Sequence, residues 1–262
     1  TVGQVTTLAL EGEDGPLASQ KLFAVASDRA GGWYVTTPAS LLHVSAAGRI
    51  RTVATCEDCR GIALSPDGSA LFLADFGNCK LYRVEVATGA VSTVAGSGEE
   101  GDADGMGDAA QFNGPYGVTI SPDGSALFVA DFCKIRRVEV ATGAVTTLAG
   151  SGEEGDADGV GEAAEFNDLF GVTISPDGSA LFVADWGNNK IRRVEVATGA
   201  VTTLAGSGEK GDEDGIGDAA QFDGPDGVTI SPDSSTLFVA DFANHKIRRV
   251  EVATGEVTTI AG

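Results

Sequence analysis

The chain is 262 residues long, with 38 acidic against 17 basic side chains, a formal charge of −21 and an apolar fraction of 42%. That length is enough for a substantial core, while the charge repels phosphate backbones, so nucleic acid is not an expected partner. No apolar run approaches the roughly 18 residues of a membrane span, no basic stretch leads into an apolar one at Thr1 as a signal peptide would, and regular short runs of Val, Ile, Leu and Phe exclude disorder.

Taken in chain order, the segment 3–9, GQVTTLA, reads as an isolated outer strand. A first unit follows, with FAVASDRAGGWYVTT at 23–37 and GRIRTVA at 48–54. The repeat then becomes overt: GIALSPDGSALFLAD begins at 61, GVTISPDGSALFVAD at 117 and again at 171, and GVTISPDSSTLFVAD at 227. Each copy reads as four short strands. The first, G-V-T-I, stops at S-P-D-G, whose Pro and Gly suit a tight turn. The second, A-L-F-V-A, ends at Asp75, Asp131, Asp185 or Asp241. The third is K-I-R-R-V-E-V, stopped by A-T-G, and the fourth is A-V-T-T-L-A-G. β-branched enrichment and Gly-containing turns predict antiparallel pairing, and a four-stranded unit repeated at this period predicts an all-β fold, a β-propeller of four-stranded blades. The predicted blades are 10–55, 61–96, 117–150, 171–206 and 227–262 in one domain, with 1–9 as a surplus outer strand. Either the ring has five blades and a spare strand, or it has six with one incomplete.

The run G-V-x-I-S-P-D-G-x-x-L-F-V-A-D-x-x-N-x-K-I-R-R-V, followed by G-x-V-T-T-L-A-G, resembles the NHL repeat. The insert G-x-G-x-x-G-D-x-D-G-x-G-x-A-A-x-F resembles its long-loop variety. The resemblance covers 61–262 strongly and 1–60 weakly. It implies a propeller that serves as a binding platform and is nearly silent about chemistry. Some six-bladed rings are Ca²⁺-dependent lactonases or lyases, and no residue set stands out here as such a site.

The charge is unevenly placed. Segments 97–116, 151–170 and 207–226 hold nineteen acids and one base, Lys210, leaving nineteen acids and sixteen bases for everything else. Propeller geometry puts the three loops on one face, together with the turns after Asp75, Asp131, Asp185 and Asp241. Three readings compete. In the first the loops are structural, with Asp in Asx turns and A-A-x-F packing between blades. In the second, D-x-D-G-x-G-[DE] binds Ca²⁺ through Asp102, Asp104 and Asp108, through Asp156, Asp158 and Glu162, and through Asp212, Asp214 and Asp218, since a hard cation needs carboxylates around a turn. In the third, Glu99, Glu100, Glu153, Glu154, Glu209 and Glu213 present an acidic surface to a basic protein.

The strand-closing Asp and the Asn78, Asn188 and Asn244 that follow are expected to cap turns. Alternation pairs Arg83 with Glu85, Arg137 with Glu139, Arg193 with Glu195 and Arg249 with Glu251 on solvated surface. Cys56 and Cys59, in T-C-E-D-C-R, are the disulfide candidates, and Cys79 and Cys133 pair only if their Cα atoms approach within about 7 Å. That cysteine usage points to an extracellular or lumenal setting. Two histidines, His43 and His245, give little material for catalysis. The expectation is a non-enzymatic scaffold for a protein partner, with a Ca²⁺-binding module as the alternative and a propeller hydrolase as the remote one.

Overall fold

The structure, a computed structural model, describes residues 21–262; the outer strand expected at 1–9 lies outside them. The described residues are all-β, arranged as five antiparallel blades of the β-propeller class. Blade one holds β1 (Val25–Ser27), β2 (Trp33–Thr36), β3 (Ser40–Val44) and β4 (Ile50–Thr55). Blade two holds β5 (Cys59–Leu64), β6 (Ala70–Asp75), β7 (Lys80–Glu85) and β8 (Val91–Ala95). Blade three holds β10 (Pro115–Ile120), β11 (Ala126–Asp131), β12 (Lys134–Glu139) and β13 (Ala144–Ala149), with β9 (Gly105–Met106) at its edge. Blade four is β15 (Leu169–Ile174), β16 (Ala180–Asp185), β17 (Lys190–Glu195) and β18 (Ala200–Ala205), edged by β14 (Gly159–Val160). Blade five is β20 (Pro225–Ile230), β21 (Thr236–Asp241), β22 (Lys246–Glu251) and β23 (Glu256–Ala261), edged by β19 (Gly215–Ile216).

The chain forms two compact units. One contains blades four and five with the middle of blade three, and the other contains blades one and two with the rest of blade three. In the first, Phe182, Ala184 and Ile191 of blade four pack with Leu237, Val239 and Val250 of blade five in one apolar cluster. In the second, Tyr34 and Leu41 of blade one pack with Ile62, Leu71, Leu73 and Val84 of blade two.

Local chemistry explains the turns. In S-P-D-G, the Ser175 hydroxyl donates to Asp177 Oδ1 at 2.6 Å, and the Ser179 amide donates to the same oxygen at 3.0 Å. These bonds, the hydroxyl first, pull the Asp177 carboxyl down to about 2, and Asp67, Asp123 and Asp233 behave alike.

The long loops depart from the four-strand expectation. Each contributes a two-residue strand that pairs antiparallel with the outer strand of the following blade: Gly105 with Val145, Gly159 with Val201 and Gly215 with Val257. The covered Val145, Val201 and Val257 are 2%, 2% and 1% exposed. Glycine is required at this place, because a Cβ on Gly159 would lie 2.5 Å from the Ala163 carbonyl oxygen. A single 3-10 turn follows each short strand, at Gly107–Ala109, Gly161–Ala163 and Gly217–Ala219. It delivers Ala110 and Phe112, Ala164 and Phe166, and Ala220 and Phe222 into fully buried positions. The packing role of A-A-x-F is thus real.

Identical side chains meet different surroundings in blade five. Phe182 and Ile191 of blade four are 1% and 0% exposed, whereas the equivalent Phe238 and Ile247 are 37% and 39% exposed. A Cβ on Gly171 would sit 2.4 Å from the Asp226 carbonyl oxygen of blade five, while one on Gly227 meets nothing closer than Ala240 at 3.8 Å.

Candidate functional site

The acidic loops of blades four and five are each built around a buried cation. Arg136, Arg192 and Arg248, the first arginine of K-I-R-R, are all 0% exposed. A guanidinium survives such burial only when paired and hydrogen-bonded. In blade four, Arg192 Nη1 lies 2.7 Å from Asp185, the residue closing the second strand, and also donates to the Glu165 carbonyl at 3.1 Å. Its Nη2 reaches Asp158 at 2.8 Å and the Ala157 carbonyl at 3.1 Å. The Phe166 ring lies under the guanidinium, 5.2 Å from centroid to Cζ. Blade five repeats the set: Arg248 contacts Asp241 at 2.8 Å, Asp214 at 2.9 Å and the carbonyls of Gln221 and Glu213, over Phe222. In blade three Arg136 meets Asp131 at 2.9 Å.

The second aspartate of D-x-D-G is held from two sides. Asp158 accepts from both the amide and the hydroxyl of Thr203 on β18 at 3.1 Å, and Asp214 does the same with Thr259 on β23. Although burial works in the opposite direction, Thr259 and Arg248 hold the Asp214 carboxyl below its ordinary value. The first aspartate takes the lysine that opens the third strand. Asp156 meets Lys190 at 2.7 Å and Asp212 meets Lys246, and each lysine lowers its partner's pKa. Asn188 and Asn244 bridge the strand-closing Asp to the loop, donating to the Gly155 and Gly211 carbonyls at 2.7 Å. They therefore tie the loop down as well as capping the turn.

This arrangement divides the carboxylates proposed for calcium. Asp156, Asp158, Asp212 and Asp214 are turned onto lysine and arginine, while Asp108, Glu162 and Asp218 stand exposed in or beside the 3-10 turns. Asp102 and Asp104 are exposed and also take part in interactions. No group of three or more His, Cys, Asp or Glu converges on a metal position among the described residues. The glutamates are left outermost: Glu99, Glu100, Glu153, Glu154, Glu209 and Glu213 are all exposed. Beneath Glu154, the Asp168 carboxyl is raised by its own burial and by that neighbouring charge.

Sequence reasoning missed the buried arginine. Its signal was available as covariation between blades. Where the long loop is replaced by T-C-E-D-C-R before blade two, Tyr82 stands in the arginine position, paired in register with Thr93 as Arg192 is with Thr203. Asp75 remains there without arginine, capping Asn78 through bonds of 3.0 and 2.9 Å, and its pKa is raised by burial. The second arginine behaves as expected: Arg83 pairs with Glu85 at 2.9 Å, and Arg193 with Glu195 and Arg249 with Glu251 on partly exposed surface.

The disulfide expected between Cys56 and Cys59 is not formed; both are buried free thiols, as are Cys79 and Cys133. A hydrogen bond between Cys56 and Cys59 lowers the first thiol's pKa and, with burial, raises the second's. His43 is bound to Asp28 at 2.9 Å, and His245 occupies a left-handed turn with φ of 55°.

Over residues 66–260 the chain matches the family described as the SMP-30/gluconolactonase/LRE-like region. It is 30% identical over 210 residues to the protein SUPPRESSOR OF QUENCHING 1, chloroplastic, of Arabidopsis thaliana, with 76% of this chain and 20% of that protein aligned. It is 31% identical over 236 residues to NHL repeat-containing protein 2 of Homo sapiens, with 76% of this chain and 32% of that protein aligned. The chain thus spans only 20% to 32% of the length of these relatives. Among solved structures, an auxiliary nutrient binding protein from Bacteroides thetaiotaomicron superposes with a TM-score of 0.73 at 17% identity, over 94% of this chain and 61% of that one. A nidogen/laminin complex gives 0.70 at 16% over 92% and 81%, and virginiamycin B lyase from Staphylococcus aureus gives 0.60 at 18% over 96% and 72%. At such identities the likeness is one of fold.

Proposed function

The chain belongs to the SMP-30/gluconolactonase/LRE-like family of NHL-like β-propeller domains, and from that premise we propose that it is a non-enzymatic scaffold whose acidic loops dock a basic protein partner. The observation that carries this reading is the division of labour within each loop. The inner aspartates of blades four and five are bound to Lys190, Arg192, Lys246 and Arg248, which fixes the backbone. The outer glutamates are thereby held out as exposed charge on a rigid support, a form suited to electrostatic steering of a cation-rich surface. Repetition of the same side chains from blade to blade also favours a binding role, because catalysis needs different groups at equivalent places.

A lysine-rich peptide, titrated into the full chain at several ionic strengths, tests the reading. Binding should weaken steeply with salt and be lost when Glu99, Glu100, Glu153, Glu154 and Glu209 are all changed to Gln. Binding indifferent to salt or to those changes would sink it. Because gluconolactonase stands in the family's description, the same preparation should be assayed on gluconolactone, where accelerated hydrolysis would overturn the non-enzymatic reading.

A further inference from the structure

Among the described residues, the outer strand of blade two exposes its edge valine where the other outer strands bury the equivalent residue. Val145, Val201 and Val257 are covered by the Gly-apolar pairs of β9, β14 and β19, and Ile50 of blade one is 6% exposed. Val91, at the same position on β8, is 48% exposed. The three residues of β8 from Val91 to Thr93 are all exposed, whereas β13, β18 and β23 each bury the valine. The cause lies in the sequence. The connection before blade two is T-C-E-D-C-R, too short to contain a D-x-D-G-apolar segment, so the strand that clips the edges of blades three, four and five has no counterpart there among the described residues.

Two of the receptor groups for that segment are nevertheless kept, the threonine and the lysine, while Tyr82 replaces the arginine that also holds the second Asp in blades four and five. In blades four and five the second Asp is received by the amide and hydroxyl of Thr203 or Thr259, and the first by Lys190 or Lys246. By strand register, Thr93 stands opposite Tyr82 as Thr203 stands opposite Arg192, and Lys80 pairs with Asp75 as Lys190 pairs with Asp185. Neither the Thr93 hydroxyl nor the Lys80 ammonium has a carboxylate partner among the described residues. A bare strand edge is a template for another chain.

We propose that the outer edge of blade two, Val91 to Thr93 with Lys80, is a docking seat for an extended Asp-x-Asp-Gly-apolar-Gly segment of a partner protein. The segment adds antiparallel to β8, its apolar side chain covers Val91, its second carboxylate accepts from Thr93 and its first pairs with Lys80. The occupant's chemistry is set by the filled edges of blades four and five, and the same strand pairing recurs at Gly105 in blade three. The seat does not depend on the glutamates assigned above, so either proposal can fail while the other stands.

The test uses a fluorescein-labelled peptide Gly-Asp-Glu-Asp-Gly-Ile-Gly-Asp, the sequence of 211–218, titrated into the full chain and read by anisotropy and by amide hydrogen exchange. Saturable binding is expected, with new protection at Val91 and Thr93. Thr93→Val and Lys80→Ala should each weaken it about tenfold, the usual worth of a charge-assisted hydrogen bond. Val91→Pro, which removes the amide at the centre of the seat, should abolish it, while a peptide with both aspartates changed to Asn should bind weakly. Circular dichroism and Tm establish that each variant is folded. The proposal is overturned by no saturable binding at millimolar peptide, by binding that folded Val91→Pro retains, or by sedimentation showing the edge occupied by a second copy of this chain.

Discussion

Arg192→Met is expected to lower the stability of the chain by about 3–5 kcal/mol, the cost of leaving a buried charge without its partner. The side chain is fully buried, and its loss would strand Asp185, itself 0% exposed, together with the Glu165 and Ala157 carbonyls. Methionine fills much of the volume, so the effect reads charge and hydrogen bonding more than a cavity. Adding Asp185→Asn should recover part of the loss, because the stranded charge is then removed. The neighbouring residue is the internal control. Arg193 pairs with Glu195 on surface where each side chain is 36% exposed, so Arg193→Met should cost no more than about 0.5 kcal/mol. Urea unfolding of the three variants measures the difference, and equal costs for Arg192→Met and Arg193→Met would contradict the account.

The second large effect compares two phenylalanines in nearly identical strands. Phe182→Ala removes a ring from the cluster between blades four and five and should cost about 3–5 kcal/mol. Phe238→Ala removes the equivalent ring from a face where it is already 37% exposed, and about 1 kcal/mol is expected, in proportion to the smaller area returned to water. The same comparison applies to the backbone. Gly171→Ala forces a methyl against the Asp226 carbonyl oxygen, whereas Gly227→Ala meets only Ala240 at an ordinary contact distance of 3.8 Å. Midpoints of thermal and urea unfolding decide it, and equal losses at Phe182 and Phe238 would mean that blade five's outer face is covered in solution.

Much of the fold is legible in the sequence because it rests on local chemistry. S-P-D-G and A-T-G carry their turn geometry in themselves, and the period of the repeat places the strands between them. What escapes a linear reading is non-local. The bonds from Arg192 to Asp158 and from Lys190 to Asp156 each join residues 34 positions apart, so D-x-D-G looks like a cation site until the lysine and arginine that neutralise it are brought alongside. Alternation also loses its meaning in β17, where Ile191 and Arg192 are both buried. A strand covered on both faces gives no polar side by which to recognise a charged residue as internal. The fifth strand was hidden for a related reason: a glycine and one apolar residue carry no strand signal of their own, and only the outer edge of blade four makes Gly159–Val160 a strand.

The central claim is that each acidic segment of blades four and five is a fixed structural element, clamped by an arginine and a lysine, that holds its glutamates outward. Amide hydrogen exchange within 151–170, measured in calcium-free buffer containing chelator, tests it most directly. Ser151, Gly155, Ala164 and Glu165 donate to carbonyls at 2.9 to 3.2 Å inside the segment, and the account predicts that these amides are protected to nearly the same degree as strand amides of β17 and β18. Exchange at the rate of an unstructured chain, with protection arising only when calcium is added, would contradict it and make the segment a metal-ordered loop instead.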